Sequence, residues 1–174
     1  MPHGFIPASA AQDPVTVSTL EELKTALASA DFSTEIVVSN AIGLTNGTDL
    51  DGKGATVRVS TPYIGEEGKV LDSGYSTTGV FTVSEGEVTI KNMTVMGGFT
   101  DNEFAAIYQS GGTFKLYNVT LTRSNRGICV TNGKCLMSGC SIVRNVCRYG
   151  DGVLIQSSAA TIIKMILLPE TCRS

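Results

Sequence analysis

The sequence has no tryptophan, one histidine and no excess of basic residues, and the last two features each exclude a class of function. Of its 174 residues, 17% are charged and 6% are aromatic. The single histidine, His3, excludes catalysis by histidine pairs or by a buried Ser-His-Asp triad. Thirteen basic residues against sixteen acidic ones give a net charge of −3. The chain therefore lacks the basic surface of a nucleic-acid-binding protein, and we expect no nucleic-acid partner.

Long apolar runs are also missing. The longest stretch, Ile162 to Leu168, is interrupted by Lys164 and is far too short to cross a bilayer, so no membrane span is expected. A hydrophobic content of 42% and a mean hydropathy of +0.15 nevertheless favour a folded chain. Its length suits one domain, which we place at residues 15–174.

Residues 1–14 contain three prolines and no periodicity, and we interpret them as an irregular leader. Ala8-Ser9-Ala10 has the form of a signal-peptidase site, but the stretch before it is too short to hold an apolar segment. Either the match arises by chance, or most of a targeting sequence is missing.

One helix is predicted, over about residues 18–29. Ser18-Thr19-Leu20-Glu21 has the form of a capping box, in which the serine accepts from the third amide and the glutamate reaches back. Leu20, Leu23 and Leu27 then share one helical face. Elsewhere, 19 glycines with abundant threonine, serine, valine and isoleucine indicate short strands and turns.

A repeat of 21 to 26 residues organises the second half of the chain. Asn92, Asn118, Gly139 and Lys164 mark equivalent positions, and the flanking columns are apolar at alternate positions. This pattern predicts stacked strands that face a common interior. The column two residues before each anchor, for example, contains Ile90, Leu116, Met137 and Ile162.

The inward-facing positions change phase at each anchor, which requires a bend between two short strands. Asparagine and glycine suit this bend because both tolerate left-handed backbone conformations. A third strand precedes each pair, with Phe81, Ile107, Ile128 and Val153 in one column. Three strands per repeat predict an all-β fold, a right-handed parallel β-helix (solenoid) of about four to five coils stacked ~4.8 Å apart.

Three segments, Thr16 to Leu27, Ile36 to Val38 and Leu50 to Val57, resemble the start of pectate-lyase-like β-helix proteins, which include many surface and adhesin-like members. The resemblance covers most of Val15 to Leu168 and implies that the first helix caps the open end of the N-terminal coil. It is specific for architecture and weak for function, because this fold hosts lyases, hydrolases, epimerases and non-catalytic proteins.

The resemblance also implies what a lyase would need: acidic residues that hold Ca²⁺ against a sugar carboxylate, and a lysine or arginine base. The catalytic candidates are Asp49, Asp51, Lys91 and Lys115, which the predicted register places on one outer sheet with Tyr117. The alternative is a solvated charge ladder in which Asp51 and Lys91 pair for less than about 1 kcal/mol. Apart from Ca²⁺ under the lyase alternative, we expect no cofactor and no metal.

Three Asn-x-Thr sequons occur, at Asn46, Asn92 and Asn118. Asn92 and Asn118 occupy the bend column, where we expect a structural asparagine ladder that satisfies turn amides between coils. Only Asn46 has the character of an exposed glycan acceptor.

The five cysteines contain no C-x-x-C pattern, so we expect no zinc site. Cys135 and Cys140 lie in inward columns and are predicted to act as small buried hydrophobes. Cys147 and Cys172 both follow their anchors by eight positions, so the register stacks them within reach of a disulfide. A reduced, stacked pair is the competing interpretation.

The outer face becomes more apolar toward the C-terminus, at Val143, Ile163, Ile166 and Leu168. Proteins normally cover an apolar strip beside an unpaired strand. We therefore expect a protein partner or a second copy of this chain to cover the last coil. A different strand register, or a C-terminus cut from a longer protein, would explain the same pattern.

These observations favour a non-catalytic, rigid structural or interaction module, within a larger assembly or on a surface. The alternatives are an enzyme that performs β-elimination on a uronate polysaccharide and a weak glycan-binding module. The expected location is extracellular, at the cell surface or in an organelle lumen.

Overall fold

The computed structural model describes residues 13–99, 105–146 and 152–156. Strands are the main regular structure of these residues, and one helix, α1 (Leu20–Ala28), interrupts them near the start. The strands are β1 (Val15–Val17), β2 (Glu35–Val38), β3 (Ile42–Leu44), β4 (Thr48–Asp51), β5 (Thr56–Val59), β6 (Phe81–Val83), β7 (Glu87–Met96), β8 (Ile107–Gln109), β9 (Thr113–Thr122), β10 (Ile128–Val130), β11 (Lys134–Ser138), β12 (Ser141–Val143) and β13 (Val153–Ile155).

The strands form two parallel sheets. The first sheet has the order β1-β2-β5-β7-β9-β11, with β4 paired to β7 and β12 paired to β9. The second has the order β13-β10-β8-β6-β3. All of these strand pairs are parallel. The strand-rich, parallel character predicted from the sequence is thus confirmed at this level.

The alignment of the repeats agrees with the strand register. Ile90 lies opposite Leu116, and Leu116 lies opposite Met137. These three side chains are at most 1% exposed. The fourth member of the predicted column, Ile162, lies outside the described residues.

The second sheet contributes a matching inward column. Phe81, Ile107 and Ile128 lie opposite one another and are fully buried, and Val153 follows as a half-buried residue. The inward columns of both sheets belong to one hydrophobic cluster. Full burial of one such side chain contributes about 1.5–3 kcal/mol, so this shared interior supplies the driving force for stacking the strands.

Both long strands bend at an asparagine. Asn92 in β7 and Asn118 in β9 have positive φ angles of 54° and 53°. The alternation of buried and outward residues in β7 shifts by one position at Asn92. A left-handed residue therefore lets one strand face the same interior on both sides of a bend.

Helix α1 buries Leu23 and Leu27 and contacts β1, β3 and β4. The predicted capping box at Ser18 to Glu21 was wrong by one residue, because the N-cap is Thr19. The Oγ1 atom of Thr19 accepts from the backbone N–H of Glu22 at 3.2 Å, and Glu22 Oε2 accepts from the Thr19 N–H at 3.2 Å. The sequence contains two overlapping matches to this motif, and burial of the two leucines is compatible with both.

Residues 60–79 form an irregular segment between β5 and β6. Its buried residue Ile64 exchanges two hydrogen bonds with Arg123: the Ile64 N–H donates to the Arg123 carbonyl at 3.2 Å, and Arg123 Nε donates to the Ile64 carbonyl at 2.7 Å. This contact fixes the segment to the chain that follows β9. In the described ranges, no helix has the length and apolar character needed to cross a membrane.

Candidate functional site

The charged candidates lie together on the outer face of the first sheet, on the part of the sheet formed by β4 and by the residues of β7 and β9 that precede Asn92 and Asn118. We call this surface the charged face, and its residues are Asp49, Asp51, Glu87, Lys91 and Lys115. Asp49 and Asp51 flank the buried Leu50 in β4, so strand alternation turns both outward. Asp51 lies directly opposite Lys91.

Both lysines of the charged face form ion pairs with a carboxylate on a neighbouring strand. Lys91 Nζ lies 3.1 Å from Asp49 Oδ1. Lys115 Nζ lies 2.8 Å from Glu87 Oε1, and this hydrogen bond raises the pKa of Lys115 above its ordinary value. Each lysine is therefore paired with a carboxylate, and the pairing with Glu87 favours the protonated form of Lys115.

Asp51 makes a different set of contacts. Its Oδ1 atom accepts from Asn92 Nδ2 at 3.0 Å and from the backbone N–H of Lys53 at 3.0 Å. The hydrogen bond from Asn92 is the main cause that lowers the pKa of Asp51, and the Lys53 amide adds to it. Hydrogen bonds that favour the charged form have this effect on a carboxyl group.

The two bend asparagines continue this chain of hydrogen bonds. Asn118 Nδ2 donates to Asn92 Oδ1 at 3.2 Å. We call the row Asp51, Asn92 and Asn118 the amide ladder. Asp51 belongs to it although its strand register pairs it with Lys91 rather than with Asn92.

Gly139 lies at the other end of the amide ladder. It has a φ of 64°, and a Cβ atom built on it would lie only 2.4 Å from Asn118 Oδ1. The asparagine oxygen therefore occupies the space that a side chain at this position would need.

The arrangement limits the chemistry of the charged face. A general base needs a pKa near the working pH, whereas the carboxylate beside Lys115 raises a pKa that is already high. Ca²⁺ requires several converging oxygen ligands. Within residues 13–99, 105–146 and 152–156, no group of three or more His, Cys, Asp and Glu side chains is placed to hold a metal ion.

The cysteines that the structure describes at the first sheet are interior thiols. Cys135 and Cys140 are buried and form no disulfide. Burial raises the pKa of the Cys135 thiol to about 12 and also raises that of Cys140. Thiols of this kind are poor nucleophiles at neutral pH. The predicted pair Cys147 and Cys172 lies outside the described residues.

The predicted interface is only partly described. Val143 lies in β12, half-buried, opposite Thr122 of β9. Its predicted neighbours Ile163, Ile166 and Leu168 lie outside the described residues.

Sequence reasoning missed an aromatic cluster formed by Tyr63, Tyr75 and Phe99. The ring centroids of Tyr63 lie 5.0 Å from Tyr75 and 4.9 Å from Phe99, and the third pair is 5.5 Å apart. Such pairs are worth about 0.5–1.5 kcal/mol beyond their buried area. No periodic signal marks these rings, because two belong to the irregular segment and the third follows β7.

Comparisons with known proteins add no identification. No protein-family model matches the chain, and no significant match is found among curated proteins or among solved structures. The assignment of function therefore rests on the geometry of the chain itself.

Proposed function

We propose that the chain is a right-handed parallel β-helix of the pectate-lyase-like type that serves as a non-catalytic, rigid structural or interaction module. The fold part of this proposal is supported by the order in which the chain visits its sheets. From β6 onward, a strand of the second sheet precedes a strand of the first in every repeat, and each pairs with its equivalent one repeat away. Parallel crossovers are right-handed in about 98% of cases.

The observation that carries the functional part is the mutual pairing of the candidate catalytic residues. Lys91 pairs with Asp49, Lys115 pairs with Glu87, and Asp51 accepts from Asn92. Each of these charged side chains has a partner group on a neighbouring strand, so the charged face is suited to holding strands together. A catalytic face would instead leave a base and an acid aimed at a substrate.

Rigidity follows from the way in which the strands are connected. The β7 and β9 strands pair over their full length on both sides of the bend, and the amide ladder joins the bends themselves. A scaffold of this kind presents its outer surface without rearrangement, which suits it to assembly with another protein.

We place the partner at the C-terminal coil, either another protein or a second copy of this chain. Support comes from the apolar residues predicted on its outer face, of which Val143 is described. An extracellular, cell-surface or lumenal location is part of the same proposal.

A uronide assay tests the choice between a module and a lyase. The full chain is incubated with a uronate polysaccharide, with and without Ca²⁺, and the absorbance of unsaturated uronide products is followed. We expect no product above that of the matched variants Lys91→Ala and Lys115→Ala. Calcium-dependent product that either substitution abolishes would establish the lyase alternative.

Sedimentation over a range of concentrations tests self-association. A second copy on the last coil predicts a dimer whose fraction rises with concentration and falls in Val143→Asp. A monomer at all concentrations would assign the surface to a different protein, and copurification from the native source followed by mass spectrometry would then search for it. A monomer without such a protein would contradict the interface.

A further inference from the structure

We propose that Asn46 is an N-glycosylation site and that, of the three sequon asparagines, it is the one that carries a glycan in the folded protein. Asn46 is exposed, in the turn between β3 and β4, and it is followed by Gly47 and Thr48. Asn-x-Thr is one form of the Asn-x-Ser/Thr pattern that the lumenal oligosaccharide transferase requires. This inference rests on the proposed passage of the chain through a secretory lumen.

The two atoms of the Asn46 carboxamide have different surroundings. Its Oδ1 atom accepts from the backbone N–H of Glu87 at 2.8 Å. The Asn46 backbone packs against Gly86, where a Cβ atom would lie 2.5 Å from Asn46 Cβ. Within the described part of the chain, Nδ2 makes no hydrogen bond. A sugar on Nδ2 therefore leaves the contact to Glu87 intact, because an N-linked glycan does not alter the carbonyl oxygen.

The other two sequon asparagines use their Nδ2 atoms to hold the fold together. Asn92 Nδ2 donates to Asp51, and Asn118 Nδ2 donates to Asn92 Oδ1. Asn92 is half-buried between these two neighbours. A glycan on either ladder nitrogen would crowd the adjacent strand of a parallel sheet, only ~4.8 Å away. Chains modified there would lose ladder contacts and would be depleted from the folded pool.

The third residue of this sequon, Thr48, determines at which stage of folding the glycan can be added. Thr48 is only 5% exposed, because it is the first inward residue of β4, and it lies opposite Val88 of β7. The transferase must reach this hydroxyl. Modification of Asn46 must therefore precede the pairing of β4 with β7, while the chain is still being made.

The reaction is a glycosyl transfer from a lipid pyrophosphate-linked oligosaccharide. A bond forms between Asn46 Nδ2 and the anomeric carbon of the first sugar, and the bond from that carbon to the pyrophosphate oxygen breaks. The lipid pyrophosphate leaves with the bonding electron pair, and Nδ2 gives up one proton.

The test uses the full chain behind a cleavable secretion signal in a eukaryotic cell. We expect the secreted protein to carry a single glycan, which peptide-N-glycosidase removes and peptide mapping places on Asn46. Thr48→Val is nearly isosteric and should abolish the glycan, whereas the matched Thr48→Ser should retain it. Thr94→Val and Thr120→Val delete the other two sequons without touching the ladder asparagines, and they should leave the gel shift unchanged.

Secreted protein with no glycan on Asn46, or with one on Asn92 or Asn118, would overturn the proposal. If the chain is not secreted, it is translated in the presence of microsomes instead. An Asn46 that stays unmodified in the nascent chain would then also overturn the proposal. Unglycosylated folded protein offered to the transferase should stay unmodified, whereas the denatured chain should gain the glycan. Equal modification of both would refute the timing. A lyase activity would overturn the proposed function and leave this site standing.

Discussion

The bends at Asn92 and Asn118 and the bend at Gly139 share a backbone conformation but differ in their side chains. Their φ angles are 54°, 53° and 64°. Strands β7 and β9 nevertheless run unbroken through their asparagines, whereas β11 ends at Ser138 and β12 begins only at Ser141. Left-handed geometry turns the chain at all three positions. Among these three bends, the strand is continuous only where a side-chain amide takes part in the row of hydrogen bonds between neighbouring strands.

At its other end, the amide ladder finishes at Asp51, beside the turn between β4 and β5. The turn from β4 to β5 contains Gly52, Lys53 and Gly54 in place of one asparagine. A side chain at Gly52 would lie 2.4 Å from the Cβ atom of Met93, so the turn passes close to β7. Asp51 supplies a carboxylate there, and an ionised carboxylate only accepts hydrogen bonds. Asn92 must therefore turn its Nδ2 atom toward Asp51, which leaves Asn92 Oδ1 to accept from Asn118 Nδ2.

The largest effect is expected inside the column shared by the central strands. Leu116→Ala removes a fully buried side chain between Ile90 and Met137, and it should lower the free energy of unfolding by about 2–5 kcal/mol. Denaturant unfolding measures this loss. Leu136→Ala, at a half-buried outward position of β11, is the control and should cost far less. Equal losses would contradict the assignment of inward and outward columns.

A smaller effect is expected from breaking the ladder at its centre. Asn92→Ala removes two hydrogen bonds, worth about 1 kcal/mol each, and places alanine in a left-handed conformation that costs about 1–2 kcal/mol. Asn92→Gly loses the same bonds without that backbone cost. Unfolding experiments should therefore rank wild type above Asn92→Gly and Asn92→Gly above Asn92→Ala. If the two variants were equally stable, the positive φ at Asn92 would carry no strain.

The comparison with Gly139 can be sharpened by giving that bend a side chain. Gly139→Ala should cost about 1–2 kcal/mol, because alanine is disfavoured at positive φ and its Cβ atom displaces the Asn118 amide. Gly139→Asn brings in the same Cβ contact with Asn118 but should cost less, because asparagine tolerates positive φ and has an amide that could join the row once Asn118 shifts. Thermal unfolding of the two variants distinguishes them. A greater loss for asparagine would show that the ladder cannot be lengthened here.

The stability that Asp51 contributes at the charged end of the amide ladder should depend on pH. The Asn92 amide lowers the pKa of folded Asp51 below its ordinary value of about 3.9, so the ionised carboxylate favours the folded state. This contribution is fully present above the ordinary pKa and is lost as the pH falls through the lowered one. Wild type should exceed Asp51→Asn in stability at neutral pH, and the gap should narrow below about pH 4. A gap that does not change with pH would contradict ionisation of Asp51 in the ladder.

The smallest effect is expected on the charged face beside the ladder. Lys91→Met breaks the ion pair with Asp49, whose side chain is 60% exposed, and should cost less than about 1 kcal/mol. The loss should shrink further as salt is added, because exposed pairs are screened. Urea unfolding at low and high salt measures both. A large, salt-independent loss would mean that Lys91 has a role beyond surface pairing.

The sequence predicted those parts of the fold that repeat. The alternation around Asn92, Asn118 and Gly139 is sufficient to align the inward columns, because strand periodicity and the bend chemistry act on neighbouring residues. The helix was predicted as well, but its N-cap was not, since two overlapping motifs competed at Ser18 and Thr19. A local pattern predicts an element more reliably than it predicts where that element begins.

The candidate site was less predictable than the columns. The charge of Asp51 and its register with Lys91 predict an ion pair between the two, yet the Asp51 carboxylate accepts from Asn92, one residue further along β7. Register specifies which backbones pair, whereas side-chain rotamers decide which polar atoms meet. Nothing in the sequence predicts that Arg123 binds the carbonyl of Ile64 across 59 residues.

By itself the amino-acid sequence determined the period of the repeat, the apolar interior and the residue types that can turn the chain at positive φ. These properties depend on side-chain size, polarity and backbone sterics, which each residue carries with it. Only the tertiary structure decided that Asp51 terminates the amide ladder, that Lys91 and Lys115 pair with carboxylates, and that Asn46 keeps an available nitrogen. Those outcomes depend on distances between strands 26 to 42 positions apart, and such distances exist only once the strands have stacked.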